Sequence, residues 1–564
     1  MKKQSVEHVS VAIIGAGPVG LALGSALRSH GVETRIFERN ETTTKHSKAI
    51  GMHARTLEAM HCLGVTEKLI EQGRPLHGFR VTDMGSLTLN GTFSRIDSLY
   101  NFVLAIPQSS TERILREQFE SQGSNVAWGA HLVAIDDDGA SSGVSKFRIA
   151  DSTGNERTLT CDWLIGADGG KSTVRELNQI PFPGGSYGKA FIVGDVEIDW
   201  DGSKEELQFF LSKTGYLLVI PMPGGLHRII AQTEIIERKI EETARTATTL
   251  GELQRVVDSN GPGGIKVRSP RWLTAAPFYY RLAPTPRKGR TLLVGDAFHL
   301  FSPLGAQGLN TGFQDAFNLA WKLAFVEKRI APESLIDSYC AERLAMAEKI
   351  AAITKKTTQY ITETRPFHMF LRKILTLAQS NTDKVRDSLP TLLAGLRQSY
   401  GEESSLIDQK GDGPIRAGAR VPHAMISYKD KLIPLASLIH GQKFSLIFMR
   451  RRADLVDVES HIDELTFLTE QLQHILQFIL IAQESTEFHD HASRKINYAA
   501  TDVFGTALNN FGNTAQSMAL VRPDGYCALS MRQWDMNSIA QYFVQIGLNN
   551  RTLPERNLKG YFHA

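Results

Sequence analysis

Apolar and polar positions divide this chain into regions of different period. Residues 9–14 form a continuous apolar run rich in β-branched side chains, which predicts a buried strand. Residues 18–29 follow a helical pattern that stops at His30-Gly31, a C-terminal signal. Residues 34–37 predict a second strand, ending at Glu38. Two further apolar runs, 163–165 and 291–294, each lead into a glycine-containing loop and then a helix. The first helix starts at Ser172, a capping residue type; the second covers 313–324, with a head near Leu309-Asn310. Helices are also expected over 56–63 and 110–122. Between Pro181 and Pro286 the pattern changes to successive strands at 191–198, 207–211, 216–221 and 227–233. A long helix pattern covers 332–364, and mixed helical sequence follows to 397. The polar stretch 401–418 reads as a linker. The last third carries strands at 444–449 and around 478–482. There, Pro523-Asp524-Gly525 lies between two apolar runs as a hairpin signal.

Composition narrows the picture without deciding it. The chain has 564 residues, more than a single core accommodates, so two or three domains are expected. Net charge is +3, too weak to point to nucleic acid. Cys62, Cys161, Cys340 and Cys527 are far apart and form no metal or dithiol spacing, so free thiols in a reducing cytoplasm are expected. No apolar run is long enough to span a bilayer, and the start of the chain does not read as a signal peptide.

The chemistry concentrates in three loops. Gly15-Ala16-Gly17-Pro18-Val19-Gly20 stands between a strand and a helix, with an acid, Glu38, ending the next strand. That is the dinucleotide fingerprint: Gly15 permits the turn, Gly17 admits the pyrophosphate, Gly20 lets helix and strand pack closely. Glu38 is suited to accept hydrogen bonds from a ribose, with Arg39 beside it. The fingerprint fits an NAD(P) or an FAD enzyme equally. The second loop, Gly166-Ala167-Asp168-Gly169-Gly170, and the third, Gly295-Asp296-Ala297-Phe298-His299 with Pro303 to Gly312, are acidic strand-to-helix turns. The helix after the third loop presents unpaired N–H groups, which favour negative charge. Lys48 and Arg55 are basic groups that suit a pyrophosphate, and Gln108 ends a strand where it suits a flavin edge. Phe210, Tyr216, Phe278 and Tyr280 are candidates for lining an aromatic pocket, or for plain sheet core.

GxGxxG, a GADG-type loop and a GDAxH…PxxGxGxN loop, in that order, resemble the single-component flavin aromatic hydroxylases, the para-hydroxybenzoate hydroxylase superfamily. Leu319-Ala320-Trp321-Lys322-Leu323 and Tyr339-Cys340-Ala341-Glu342-Arg343 continue the resemblance, as does Trp272 ahead of Arg281, Gly289 and Arg290. Ala306 stands where these enzymes often have glycine, and Lys48 where arginine is common. The resemblance implies an α/β fold: a Rossmann-type FAD-binding domain (1–180 and 281–365), an inserted β-sheet substrate domain (181–280), a helical segment and linker (366–410), and a thioredoxin-like domain (411–564). It implies bound FAD, NAD(P)H as a transient co-substrate, O₂, and a small aromatic substrate, phenolic or polyketide-type, in a monomer or homodimer. The expected reaction is ring hydroxylation by a flavin C4a-hydroperoxide. Candidate catalytic residues are Pro303, Asn310, Tyr216 and Arg281. Candidate FAD contacts are Gly15, Gly17, Pro18, Val19, Gly20, Glu38, Arg39, Lys48, Arg55, Gln108, Asp168, Gly295, Asp296, Pro303, Gly308, Leu309 and Asn310. An FAD oxidase or dehydrogenase, a Baeyer–Villiger-type oxygenase, and a non-catalytic flavin-binding redox sensor remain the alternatives.

Overall fold

The computed structural model describes residues 6–43, 50–233, 248–362, 389–408, 411–439, 441–451, 472–483, 497–512, 516–533 and 535–548. Lys48 lies outside them, as do residues 366–388 of the expected helical segment.

The first strand, Glu7–Ile14, lies inside an eight-stranded sheet. It pairs in parallel with Thr34–Glu38 on one side and Glu156–Gly166 on the other. Thr291–Leu293 extends the parallel set beyond Glu156–Gly166. Strands buried on both faces need apolar residues at every position, and Val11, Ala12 and Ile13 are fully buried. Val11 and Ile13 pack against the helices Pro18–Ser29 and Gln307–Glu327, whereas Ala12 and Ile14 join a separate core on the opposite face. The register sets Ile14 beside Gly166 and Gly166 beside Leu293, so three strands end level. The loops that leave them emerge side by side at the carboxyl ends of the strands, where open α/β sheets place ligands.

A second eight-stranded sheet has the order His299–Leu300, Lys266–Leu282, Gly184–Asp199, Leu226–Thr233, Tyr216–Pro221, Glu206–Leu211, Gly78–Asp83, Ser86–Thr92. Two of its strands come from residues 78–92, before the chain reaches the region where the strand pattern predicts the sheet. Side chains alternate between its faces. Leu217, Val219 and Ile229 pack on the helix Leu250–Asn260, whose start is fixed by a capping box between Thr249 and Glu252. Tyr216, Leu218, Ile220 and Ile230 face the other way and share a core with Ile50, Ala105 and Leu304, which lie outside this sheet.

The C-terminal part forms a seven-stranded sheet. Phe444–Arg450 runs parallel to Leu476–Ala482 and antiparallel to Gln516–Val521, which pairs with Cys527–Met531. This sheet packs directly on the helix Gln307–Glu327: Trp321 and Phe325 share one core with Phe444, Leu446 and Phe543. Among the described residues no helix is long and apolar enough to cross a membrane.

Candidate active site

The three glycine loops meet. Gly15 has φ +110°, and a Cβ there would stand 2.4 Å from the Ala167 carbonyl oxygen. A Cβ on Gly20 would stand 2.1 Å from the Gly15 carbonyl oxygen and 3.2 Å from the Ala167 side chain. The first loop is therefore pressed onto the second. Val19 presses on the third: a Cβ on Gly312 would lie 2.7 Å from Val19 Cγ2 and 3.1 Å from Gly295 Cα. Backbone bonds stitch the same contacts, with Ala167 N donating to Ile14 O and Val294 N to Gly166 O.

What these loops leave open is as specific as what they close. Around Gly17 a Cβ would meet nothing within 4 Å. Pro18 heads the helix Pro18–Ser29, and no side chain caps it. The helix Gln307–Glu327 also starts without a side-chain cap, from Ala306 in the left-handed conformation at φ 53°. Glycine takes that conformation freely, and alanine at a cost of about 1–2 kcal/mol. Two helix heads thus offer N–H groups and positive potential to an anion.

The acids around the loops are oriented. Glu38 accepts from Ala16 N at 2.9 Å through Oε2 and from Asn40 N at 3.0 Å through Oε1. Arg39 beside it is exposed. Asp168 Oδ2 accepts from Val174 N at 3.1 Å, while its Oδ1 is buried with no partner among the described residues. Burial pushes the Asp168 carboxyl up. Its loop ends at Ser172, which caps the next helix by accepting from Arg175 N at 3.0 Å. Gly295 N donates to Asp315 Oδ2 at 3.0 Å, and Asp296 is exposed on the turn Gly295–Ala297.

Asn310 is the pin of the third loop. Its Oδ1 accepts from His53 N at 2.9 Å and Thr56 Oγ1 at 2.7 Å, and its Nδ2 donates to Gly51 O at 2.9 Å and Ala306 O at 2.6 Å. All four bonds stay within the chain, so the side chain locks the helix head to residues 51–56. His53 adds a contact from Nε2 to Gly305 O at 2.9 Å. Pro303, Gly308 and Leu309 are half-buried on this loop and helix head.

Other expected residues are placed elsewhere. Arg55 turns away from the glycine loops toward the C-terminal hairpin: Nη2 donates to Asp524 O at 2.6 Å, and the guanidinium lies 4.7 Å from the Tyr526 ring centroid. Gln108 heads the helix Gln108–Ser121 and donates to Glu112 Oε1 at 2.8 Å. Tyr216 is fully buried on the sheet face toward Leu304, 5.7 Å from Phe191, which stacks on Phe278 at 4.0 Å. The Tyr216 hydroxyl has no partner among the described residues. Phe210 is on the opposite face, toward the helix Leu250–Asn260. Tyr280 packs on Tyr187 at 5.3 Å, and Arg281 is exposed over Tyr279.

Sequence reasoning missed the charges beneath the loops. Asp315 accepts from Gly295 N, from His299 Nε2 at 2.7 Å and from Arg343 Nε at 2.7 Å, all fully buried. Lys322 and Arg522 both bind Glu342 inside the protein, at 2.8 Å and 2.6 Å. The signal available was an acid or lysine in the middle of a helix that reads as buried, which requires a partner.

An elongated ligand with an anionic middle fits this cradle: two uncapped helix heads, an open side at Gly17, an acid at the strand end and a buried unpartnered carboxylate oxygen. Residues 8–354 match the family described as "FAD binding domain". The chain is 34% identical to 6-methylpretetramide 4-monooxygenase of Streptomyces rimosus, over 62% of each chain. It is 29% identical to pentachlorophenol 4-monooxygenase of Sphingobium chlorophenolicum, over 92% of this chain and 93% of that one. Among solved structures, the anhydrotetracycline hydroxylase OxyS from Streptomyces rimosus superposes with a TM-score of 0.75 at 25% identity, covering 95% of this chain and 99% of that one.

Proposed function

The chain belongs to the FAD-binding-domain family of flavin monooxygenases, and from that premise we propose that it hydroxylates a phenolic or polyketide-type aromatic ring, using NAD(P)H and O₂. One observation carries the reading: three loops converge at the level carboxyl ends of parallel strands, beneath the apolar face of a second sheet. FAD, when bound, supplies the chemistry that activates dioxygen for transfer of one oxygen atom to the ring.

The chain's own residues supply position, charge and dryness. Gly15, Gly17, Pro18, Val19 and Gly20 would hold the pyrophosphate at the helix head. Glu38 would take the ribose hydroxyls and Asp296 the ribityl side. Pro303 and the head formed by Gly308, Leu309 and Asn310 would meet the flavin ring, where the helix end stabilises negative charge by about 0.3–2 kcal/mol. Tyr216, Leu218, Ile220 and Ile230 on the facing sheet would exclude water from the reacting centre. The substrate would enter between that face and the loop at Leu304.

The division into an FAD-binding domain, an inserted substrate sheet and a C-terminal thioredoxin-like domain belongs to the same proposal. For the last, support comes from the order Leu476–Ala482, Phe444–Arg450, Gln516–Val521, Cys527–Met531, with the first two parallel and a closing helix at Met536–Gln545. All four cysteines are free thiols, which supports work in a reducing compartment.

The test is NAD(P)H consumption by FAD-loaded protein against a panel of phenols and polycyclic polyketides, with ¹⁸O₂ as the oxygen source. Stimulated consumption with one labelled oxygen in the product is expected. Flavin-loaded protein that incorporates no label into any arene would overturn the proposal.

A further inference from the structure

Two chains of contacts connect the flavin-facing loops to one turn of the C-terminal part. The first starts at Asn310. Thr56 and His53 bond its side chain, and both lie within two residues of Arg55 at the start of the helix Ala54–His61. The Arg55 guanidinium donates to Asp524 O at 2.6 Å, pairs with Glu58 at 3.3 Å and lies over the Tyr526 ring at 4.7 Å. The second starts at Gly295. Its N–H binds Asp315, Asp315 binds Arg343, and Arg343 Nη1 donates to the Tyr400 hydroxyl at 3.2 Å. The Tyr400 and Tyr526 rings lie 4.6 Å apart. Both routes therefore end on Tyr526.

That turn is itself held rigidly. Arg522 donates to both oxygens of Glu342, at 2.6 Å and 3.0 Å, and also pairs with Asp524. Asn318 of the helix Gln307–Glu327 donates to Asp524 Oδ2 at 3.3 Å. Apolar packing alone tolerates sliding. Buried ion pairs do not, because breaking one leaves an uncompensated charge.

We propose that Arg55 is a positioning residue: clamped by Asp524 and Tyr526, it lets the C-terminal hairpin turn set residues 51–56 and, through Asn310, the head of the flavin-facing helix. The proposal rests on the flavin reading above and goes beyond it, because it makes flavin retention depend on a turn more than 460 residues along the chain from Arg55. The competing role for Arg55 is direct contact with the pyrophosphate. The geometry disfavours it: Nη1 and Nη2 are directed to Glu58 and Asp524, and the planar face rests on an aromatic ring, a cation–π arrangement. Lysine cannot make both contacts at once.

The experiment is a double-mutant cycle on FAD affinity. Apoproteins of the full-length wild type, Arg55→Gln, Tyr526→Leu and the double variant are titrated with FAD by quenching of flavin fluorescence. Visible-region circular dichroism of the bound flavin and thermal melting of each apoprotein are recorded alongside. Each single variant is expected to raise the FAD Kd about tenfold and shift the flavin dichroism. The double variant is expected to bind FAD no more weakly than the weaker single one. If Arg55→Gln does not fold, Arg55→Lys runs the same cycle. A full additional loss on adding the Arg55 change to Tyr526→Leu would show direct phosphate contact and overturn the clamp. So would a Tyr526→Leu protein with unchanged FAD affinity and dichroism. Failure of the wild-type apoprotein to bind FAD would instead overturn the flavin reading itself.

Discussion

Arg343 Nε lies 2.7 Å from Asp315 Oδ1, and neither side chain has any solvent exposure. The other Asp315 oxygen serves Gly295 N and His299. Burial alone would raise the Asp315 carboxyl, but the charges of His299 and Arg343 outweigh it and hold it below the usual carboxylate range. The floor of the third glycine loop is thus an ion pair.

Removing one partner of that pair is costly. Arg343→Met leaves the Asp315 charge poorly compensated and is expected to lower unfolding free energy by about 3–5 kcal/mol. Asp315→Asn combined with Arg343→Met is expected to lose less than Arg343→Met alone. Urea unfolding followed by tryptophan fluorescence measures both, and a double variant less stable than the single would contradict the account.

Gly15 and Gly17 are expected to separate folding from cofactor binding. Gly15→Ala drives a Cβ into the Ala167 carbonyl at a positive φ, so apoprotein melting temperature and FAD affinity fall together. At Gly17 a Cβ meets no protein atom and φ is −71°, an ordinary value. Gly17→Ala is therefore expected to melt within about 1 °C of wild type, roughly the shift that 1 kcal/mol produces in a chain of this length, while binding FAD about tenfold more weakly, or about 1.4 kcal/mol. Thermal melts paired with flavin titrations distinguish the two.

Asn310→Ala removes the partner of His53 N and Gly51 O together. Each buried group left unpaired costs about 1–3 kcal/mol. The expected result is a protein destabilised by at least that amount whose helix head no longer holds residues 51–56, read as reduced FAD affinity as well as reduced stability. Unchanged affinity would separate this pin from the flavin site.

Acid lability should begin above the carboxylate range. Burial lowers the His53 imidazole to about 4, with its bond to Gly305 opposing only in part. The unfolded chain takes up this proton near 6.5 and the folded chain only near 4, so stability falls as pH drops between those values and levels off below. A 2.5-unit difference corresponds to about 3 kcal/mol. His30, lowered to about 4 chiefly by burial, adds in the same window. Asp315 and Glu342, both held low, contribute stability that is present above their unfolded values and lost on further acidification. Urea midpoints at pH 7.5, 6, 5 and 4 test the window, and His53→Gln should flatten the upper part of the slope.

Much of this architecture is legible locally. The helix Pro18–Ser29 and the strand Tyr216–Pro221 fall where their periodicity predicts, because each is defined by its own residues. The helix Gln307–Glu327 begins six residues before its apolar pattern does. Gly308 and Gly312 dilute the helical signal, and Gly312 is small because Val19 packs against it. The glycine loops can be read for the same reason: each carries its turn chemistry within a few residues. What escapes is long-range pairing. The strands at 78–92 join a sheet otherwise built almost a hundred residues later, and Arg55 finds Asp524 across 469 positions. A basic residue near glycine loops suggests phosphate, and nothing nearby in the sequence announces an aromatic turn instead.

The alternation along Tyr216–Pro221 has a consequence for how such a protein changes. Tyr216, Leu218 and Ile220 share a core with Ile50, Ala105 and Leu304, and Leu217 and Val219 look toward the helix Leu250–Asn260. Two independent texts are thus interleaved in one strand. On the function proposed above, rewriting Tyr216, Leu218 and Ile220 would redraw the contour offered to a guest molecule, while the intervening letters keep the wall upright. A lineage would then explore new ring systems by editing every second residue, without renegotiating its own foundations.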